Sequence, residues 1–164
     1  MNCFTVVTHS DQQTRKWGMN LGRLLSAGDI IGLVGELGVG KTCFVRGVAA
    51  GLEVNKDAWI RSPSFTLINE YEGRLPIFHI DLYRISSRAQ TEGLNLREYL
   101  YGEGVSLVEW FEHLPAEEVG EYLELRMTHA GGHRRKLNFI AHGERYERLL
   151  AEFKVPRSRF KVRT

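Results

Sequence analysis

Eight consecutive residues, Gly35-Glu36-Leu37-Gly38-Val39-Gly40-Lys41-Thr42, fit G-x-x-x-x-G-K-[ST] at every fixed position. The oxygens of a triphosphate need several backbone N–H groups aimed at one spot, and three glycines let a loop curl that tightly. The loop opens a helix, whose N-terminal amides and partial positive charge favour an anion. Lys41 is placed to reach the β- and γ-phosphates, and the Thr42 hydroxyl to complete a Mg²⁺ site shared with them. Gly35 through Thr42, with Cys43 following, is therefore the expected nucleotide-binding stretch.

Metal-assisted chemistry on a phosphate also needs a carboxylate, usually at the C-terminal end of a neighbouring strand. Two strand-like runs end that way, Ile77-Phe78-His79-Ile80-Asp81 and Ser106-Leu107-Val108-Glu109. Either acid can hold the metal while the other orients or deprotonates the attacking water. Ser62-Pro63-Ser64-Phe65-Thr66 supplies three hydroxyls on a segment stiffened by Pro63. It reads either as a switch closing on the γ-phosphate or as an ordinary Ser-Pro turn. His79 alternates with the apolar residues of its strand and reads as structural. Trp110 reads as core or as a lid over the site, and Arg61 and Arg84 as surface arginines or phosphate ligands.

The elements that must position these groups follow from periodicity. Ile30, Ile31, Leu33 and Val34 form the run of a buried strand ahead of the loop, and Phe44, Val45, Val48, Ala49 and Leu52 fall at helical spacing behind it. Cys3–Thr8 reads as a strand. Ser10 caps a helix expected to run to about Ala27 with Trp17, Leu21, Leu24 and Leu25 inward. Residues 65–72 and 75–82 read as a hairpin turning at Gly73-Arg74. Short helical turns follow near 92–101, then a second hairpin, 123–128 with 136–141, and a closing helix, 144–153. The fold class is α/β: one P-loop domain over 1–154 with a mixed sheet flanked by helices.

The 164 residues suit one such domain, and 43% hydrophobic with 26% charged residues is an ordinary globular composition. No apolar run approaches a membrane span and no signal-peptide pattern opens the chain, so the expected location is cytoplasmic with no membrane contact. Two cysteines, Cys3 and Cys43, are too few for a disulfide framework or thiolate zinc site. Both read as small buried or half-buried residues, Cys43 with a thiol pKa lowered by the helix start and hence open to alkylation. The net charge of +2 is unevenly spread. Residues 1–133 hold 12 basic and 17 acidic side chains, and 134–164 hold 10 and 3. The basic segment 155–164, expected to be mobile, reads as a contact for an anionic partner such as tRNA or as a solvated tail. Asn55-Lys56-Asp57 brings its acid one residue too early for guanine recognition, and Asp81-Leu82-Tyr83-Arg84 lacks the glycine of a GTPase switch. ATP is the expected nucleotide.

Taken together, GELGVGKT, SPSFTLINEY, HIDLYRI and VEW, in that order, resemble the TsaE (YjeE) family of bacterial ATPases, which serves the threonylcarbamoyl modification of the adenosine beside the tRNA anticodon. The resemblance begins near Ser10 to Thr14, similar to the family's S-x-x-x-T, and thins beyond Trp110. It implies Lys41 and Thr42 as phosphate and Mg²⁺ ligands, Ser64 (with Ser62 beside it) as the switch hydroxyl, Asp81 and Glu109 as acids at the metal, and Trp110 as a functional aromatic. It also implies a TsaB-TsaD pair as partner, whose multiple turnover ATP hydrolysis supports, and because such a site alone often lacks its water-positioning group, weak hydrolysis is expected of the isolated protein. Glu36, Cys43, Ser64 and Phe111 depart from the usual pattern, and Phe111, where proline is common, leaves the geometry after Glu109 open. The competing functions are a nucleotide-gated binding module in which hydrolysis is incidental and, ranked last, a small-molecule kinase.

Overall fold

The computed structural model describes residues 2–63 and 67–154. In chain order the elements are β1 (Cys3–Thr8), α1 (Asp11–Gly22), β2 (Ile30–Val34), α2 (Lys41–Gly51), β3 (Ile68–Tyr71), β4 (Ile77–Asp81), α3 (Arg88–Gly93), α4 (Leu96–Leu100), β5 (Val105–Glu109), β6 (Tyr122–His129), β7 (Arg135–His142) and α5 (Glu144–Phe153). Two 3₁₀ turns, Phe111–His113 and Ala116–Glu118, lie between β5 and β6.

The strands form one sheet in the order β1-β7-β6-β2-β5-β4-β3. Its centre, β6-β2-β5-β4, is parallel, while the β1–β7, β7–β6 and β3–β4 pairs are antiparallel. This is the expected mixed sheet, and β2, which feeds the glycine loop, lies in its middle. β2 and β5 are buried almost throughout, as fits strands covered on both faces. Alternation sorts their side chains. Ile31, Leu33, Ile77, Val105 and Leu107 join the larger core with α1, α2 and α5, while Ile30, Ile80 and Val108 join a smaller one with α4 and Phe111. On that period His79, Asp81 and Glu109 share the α2 face.

Helices α1 and α2 pack backbone to backbone. A Cβ on Gly47 would overlap the carbonyl oxygen of Arg15, and one on Gly18 that of Phe44. Gly22 and Gly51 face each other's helices in the same way. Helix α1 starts as expected, with Ser10 accepting from the Gln13 N–H at 3.1 Å while Gln13 accepts from the His9 N–H at 2.8 Å. It ends at Gly22 and not near Ala27. The chain tightens there, with Leu24 N–H on the Leu21 carbonyl, and the Asp29 carboxylate captures the Ser26 N–H at 2.7 Å. Leu25 nevertheless remains buried. The first hairpin is shorter than its sequence pattern, and of its predicted first strand Phe65 and Thr66 lie outside the described residues. Cys3, expected to be at least half-buried, is exposed because it sits on an edge strand.

Helix α5 is tied to the base of β2. Arg145 donates two hydrogen bonds to buried Asp29, at 3.0 and 2.7 Å, and the Tyr146 hydroxyl accepts the Ile30 N–H at 2.8 Å. Burial pushes the Tyr146 phenol up to about 12, against an ordinary value near 10. The unfolded chain thus loses this proton first, and stability that is intact below pH 10 should decline by roughly 2–3 kcal/mol as pH rises to 12. Tyr146→Phe should remove that alkaline slope and cost about 1–3 kcal/mol at neutral pH, because Ile30 loses a buried acceptor. Urea unfolding of both proteins between pH 7 and 12 checks this.

Candidate functional site

The glycine loop links β2 to α2 through two left-handed backbone positions, Gly38 at φ 79° and Gly40 at φ 114°, which glycine adopts without strain. Val39 turns its side chain into the core, and its carbonyl accepts from Arg135 Nε at 2.9 Å, so a residue of β7 braces the loop from behind. Helix α2, eleven residues long, aims its N-terminal amides into the space above the sheet.

That space is a cavity of about 460 Å³ lined by Leu37, Gly38, Gly40, Lys41, Thr42, Cys43, Ser62, Asp81, Tyr83, Arg84, Glu109 and Trp110. Strand register assembles its floor. Glu109 stands opposite Leu33 of β2 on one side and Asp81 of β4 on the other, so both acids arrive level with the end of the loop strand. The Thr42 hydroxyl lies 3.3 and 3.4 Å from the two Glu109 oxygens. His79, fully buried, places Nε2 2.5 Å from Glu109 Oε2. Asp81 accepts from the Ser62 hydroxyl through one oxygen and from the Tyr83 N–H at 2.8 Å through the other.

Lys41 is folded back on its own loop, donating to the carbonyls of Gly35 and, at 3.1 Å, Glu36. Its ammonium sits 4.3 Å from the ring centre of Trp110, a cation–π contact. Burial pushes the Lys41 pKa below its ordinary value, while the carboxylates of Glu109, Glu112 and Asp81 pull it back up. Trp110 holds a left-handed backbone, φ 57° and ψ 44°, and its ring also meets Tyr83 at 5.0 Å. The next residue settles the question that Phe111 left open. Its ring lies so close over Gly32 of β2 that any Cβ there would overlap it, which fixes the chain immediately after Glu109.

The fold thus collects Lys41, Thr42, Asp81, Glu109, Trp110 and Ser62 around one cavity. Leu37, Gly38, Gly40 and Cys43 line the same space, whereas Gly35, Glu36 and Val39 line a second recess of about 370 Å³ against β6. Thr14 lies apart, buried and paired with the Thr8 hydroxyl at 2.7 Å. Ser64 and the segment 155–164 lie outside the described residues. Arg84 lines the cavity, and Arg61 does not. The Cys43 expectation is reversed. Burial raises its thiol pKa, with the Asp11 charge adding and Arg15 opposing. The contact that sequence reading missed is His79 with Glu109. The available signal was that His79, Asp81 and Glu109 share one strand face, which requires the β4–β5 register to be known.

Chemically, the cavity offers a ring of amides, a cation and a hard-oxygen donor set made of one hydroxyl and two carboxylates. Among the described residues no three His, Cys, Asp or Glu side chains stand close enough to hold a metal by themselves. Nor is any helix long and apolar enough to cross a membrane.

The chain is similar to known proteins over most of its length. It is 44% identical to the tRNA threonylcarbamoyladenosine biosynthesis protein TsaE of Treponema pallidum over 116 residues, 71% of this chain and 84% of that one. It is 42% identical to the protein of the same name from Bacillus subtilis over 126 residues, 76% and 77% of the two chains. A crystal structure of Bacillus subtilis YdiB superposes with a TM-score of 0.77 at 34% identity, covering 93% of this chain and 94% of that one. The family model for the threonylcarbamoyl adenosine biosynthesis protein TsaE matches residues 8–137, past Trp110 and into β7. With the loop, both acids and the central sheet all inside that match, the chain belongs to the TsaE family.

Proposed function

We propose that the protein is a Mg²⁺-dependent ATPase that serves tRNA threonylcarbamoyladenosine biosynthesis by acting on a TsaB-TsaD type pair. The observation that carries this reading is the Thr42 hydroxyl facing the Glu109 carboxylate at 3.3–3.4 Å, directly beside Lys41. A magnesium ion takes oxygen ligands and is usually held by one or two carboxylates together with substrate phosphates, and this donor set fits that habit. Thr42 and Glu109 would hold the ion, with Asp81 beside them tying the site to the Ser62 segment. The ion would supply charge neutralisation to the bound phosphates.

The residues of the chain do the rest. Gly38 to Thr42 cradle the phosphates through backbone amides. Lys41 leaves the carbonyls of Gly35 and Glu36 to meet the γ-phosphate, and the charge that develops in transfer is stabilised there. With Glu109 at the ion, Asp81 orients the attacking water. Turnover by the isolated protein is slow, because the residues around the site are engaged with one another and the final arrangement requires Lys41 and Trp110 to move. Support for the pathway comes from the names of the relatives, and for the partner pair from membership of the family.

The test is phosphate release from ATP by the protein alone and with a TsaB-TsaD pair, using Lys41→Ala as the blank. A rise with the pair, absent from the blank, is the expected result. Equal rates with and without the pair would overturn the partner assignment.

A further inference from the structure

The sequence reads His79 as a structural residue, and its position gives it a second task. Its side chain is fully buried on β4, Nε2 lies 2.5 Å from Glu109 Oε2, and Nδ1 has no hydrogen-bond partner among the described residues. A buried imidazole with one partnered nitrogen is costly, since an unsatisfied polar group in the interior is destabilising. A ring kept only for packing would be replaced at a gain by an aliphatic residue, so the contact that remains is the informative one. The tautomer with its proton on Nε2 donates to the carboxylate and leaves only a lone pair at Nδ1, the cheaper orphan because no N–H is stranded.

The Thr42 hydroxyl meets the same carboxylate, 3.3 Å from Oε1 and 3.4 Å from Oε2. Glu109 is thus gripped from the sheet side and presented toward the loop. A free glutamate has three rotatable torsions, and a site that depends on one carboxylate orientation needs those torsions fixed.

We propose that His79 is a positioning residue: its Nε2–H fixes the rotamer of Glu109 so that the carboxylate stays turned to Thr42 and the divalent-cation position. This rests on the reading of Glu109 as a metal-site acid given under Proposed function. Partners of ligating carboxylates elsewhere typically contribute 10–100-fold to metal affinity or activity. His79 is of that kind, and it acts through Glu109 without touching nucleotide.

The test uses the full chain and Mn²⁺ as the probe. Glutamine at position 79 keeps an N–H near the place of Nε2, while leucine fills the space without a donor. Mn²⁺ affinity in the presence of ADP, read by electron paramagnetic resonance, should fall about 10–100-fold in His79→Leu. It should recover to within about 3-fold of wild type in His79→Gln, which tests the donor alone. ADP affinity without metal should be equal in all three. A pure packing role would leave Mn²⁺ affinity unchanged in a folded His79→Leu protein, or make glutamine no better than leucine, and either result overturns the proposal. If wild type itself bound no Mn²⁺ with ADP, the metal-site reading would fall and the positioning role with it, which separates the two failures. Should His79→Leu not fold, ¹⁵N correlation spectra of wild-type imidazoles decide. A proton on Nε2 of His79 supports the proposal, and one on Nδ1 overturns it.

Discussion

Lys41→Ala is expected to lower ATP turnover by roughly 10²–10³-fold, the range seen when a preorganised donor to a developing anion is removed. The magnitude follows from where the ammonium sits. It is nearly buried between two loop carbonyls and the Trp110 ring, in surroundings where charge is weakly screened. Burial pushes its pKa down and the carboxylates of Glu109, Glu112 and Asp81 only partly offset this, so the ammonium is short of a full-strength anion partner. Phosphate supplies one, and the lysine then recovers both charge balance and hydrogen bonds. Nucleotide affinity should therefore fall as well, and binding of a fluorescent ATP analogue beside single-turnover phosphate release separates the two losses. Unchanged affinity with lost turnover would assign Lys41 to the transition state alone. The variant should fold normally, since truncating the side chain leaves room in the adjoining cavity for water to replace the ammonium as donor to the Gly35 and Glu36 carbonyls.

The second large effect is on stability and lies away from the cavity. Gly47→Ala places a methyl group into the Arg15 carbonyl oxygen across the α1–α2 contact. Alanine in a helix interior gains about 1 kcal/mol over glycine, so on propensity alone the change would stabilise. Overlap with a backbone atom cannot be relieved by a rotamer change, so the two helices must separate, and overpacking of this kind costs about 1–3 kcal/mol or more. Gly93→Ala is the matched control, because a Cβ there meets nothing within 4 Å at the end of α3. Urea unfolding should show Gly47→Ala destabilised and Gly93→Ala unchanged or stabilised by up to about 1 kcal/mol. Equal and small effects at both would show that the α1–α2 contact yields easily.

Most of the architecture is readable because β2, β4 and β5 are short, largely apolar runs ended by a turn or an acid, and each helix that packs has an amphipathic stripe. The loop motif, the acids Asp81 and Glu109 and the closing helix needed nothing more than spacing. What sequence did not carry depends on register and on local competition. The end of α1 is decided by Asp29 capturing the Ser26 N–H, which helical periodicity does not register. His79 looked structural because its alternation was correct, while its partner sits on another strand 30 residues away. For the Cys43 thiol the helix start predicts a lowered pKa, whereas burial raises it. The glycine seam of α1 and α2 was invisible too, since a glycine's role there is an absence of atoms.

The sheet leaves β1 at one border, bonded to β7 on one side only among the described residues. Its sequence, Cys3-Phe4-Thr5-Val6-Val7-Thr8, is six residues without charge, proline or glycine, and rich in β-branched side chains. Val7 is 47% exposed, and Cys3 is exposed on the same strand face, four residues along. Such a segment is a template for a second chain, and the thiol can lock that encounter covalently under oxidising conditions. Concentrated stocks of this protein should thus self-associate through the strand farthest from β3, and a lysine at position 7 with serine at position 3 would blunt that border without reaching the nucleotide cavity.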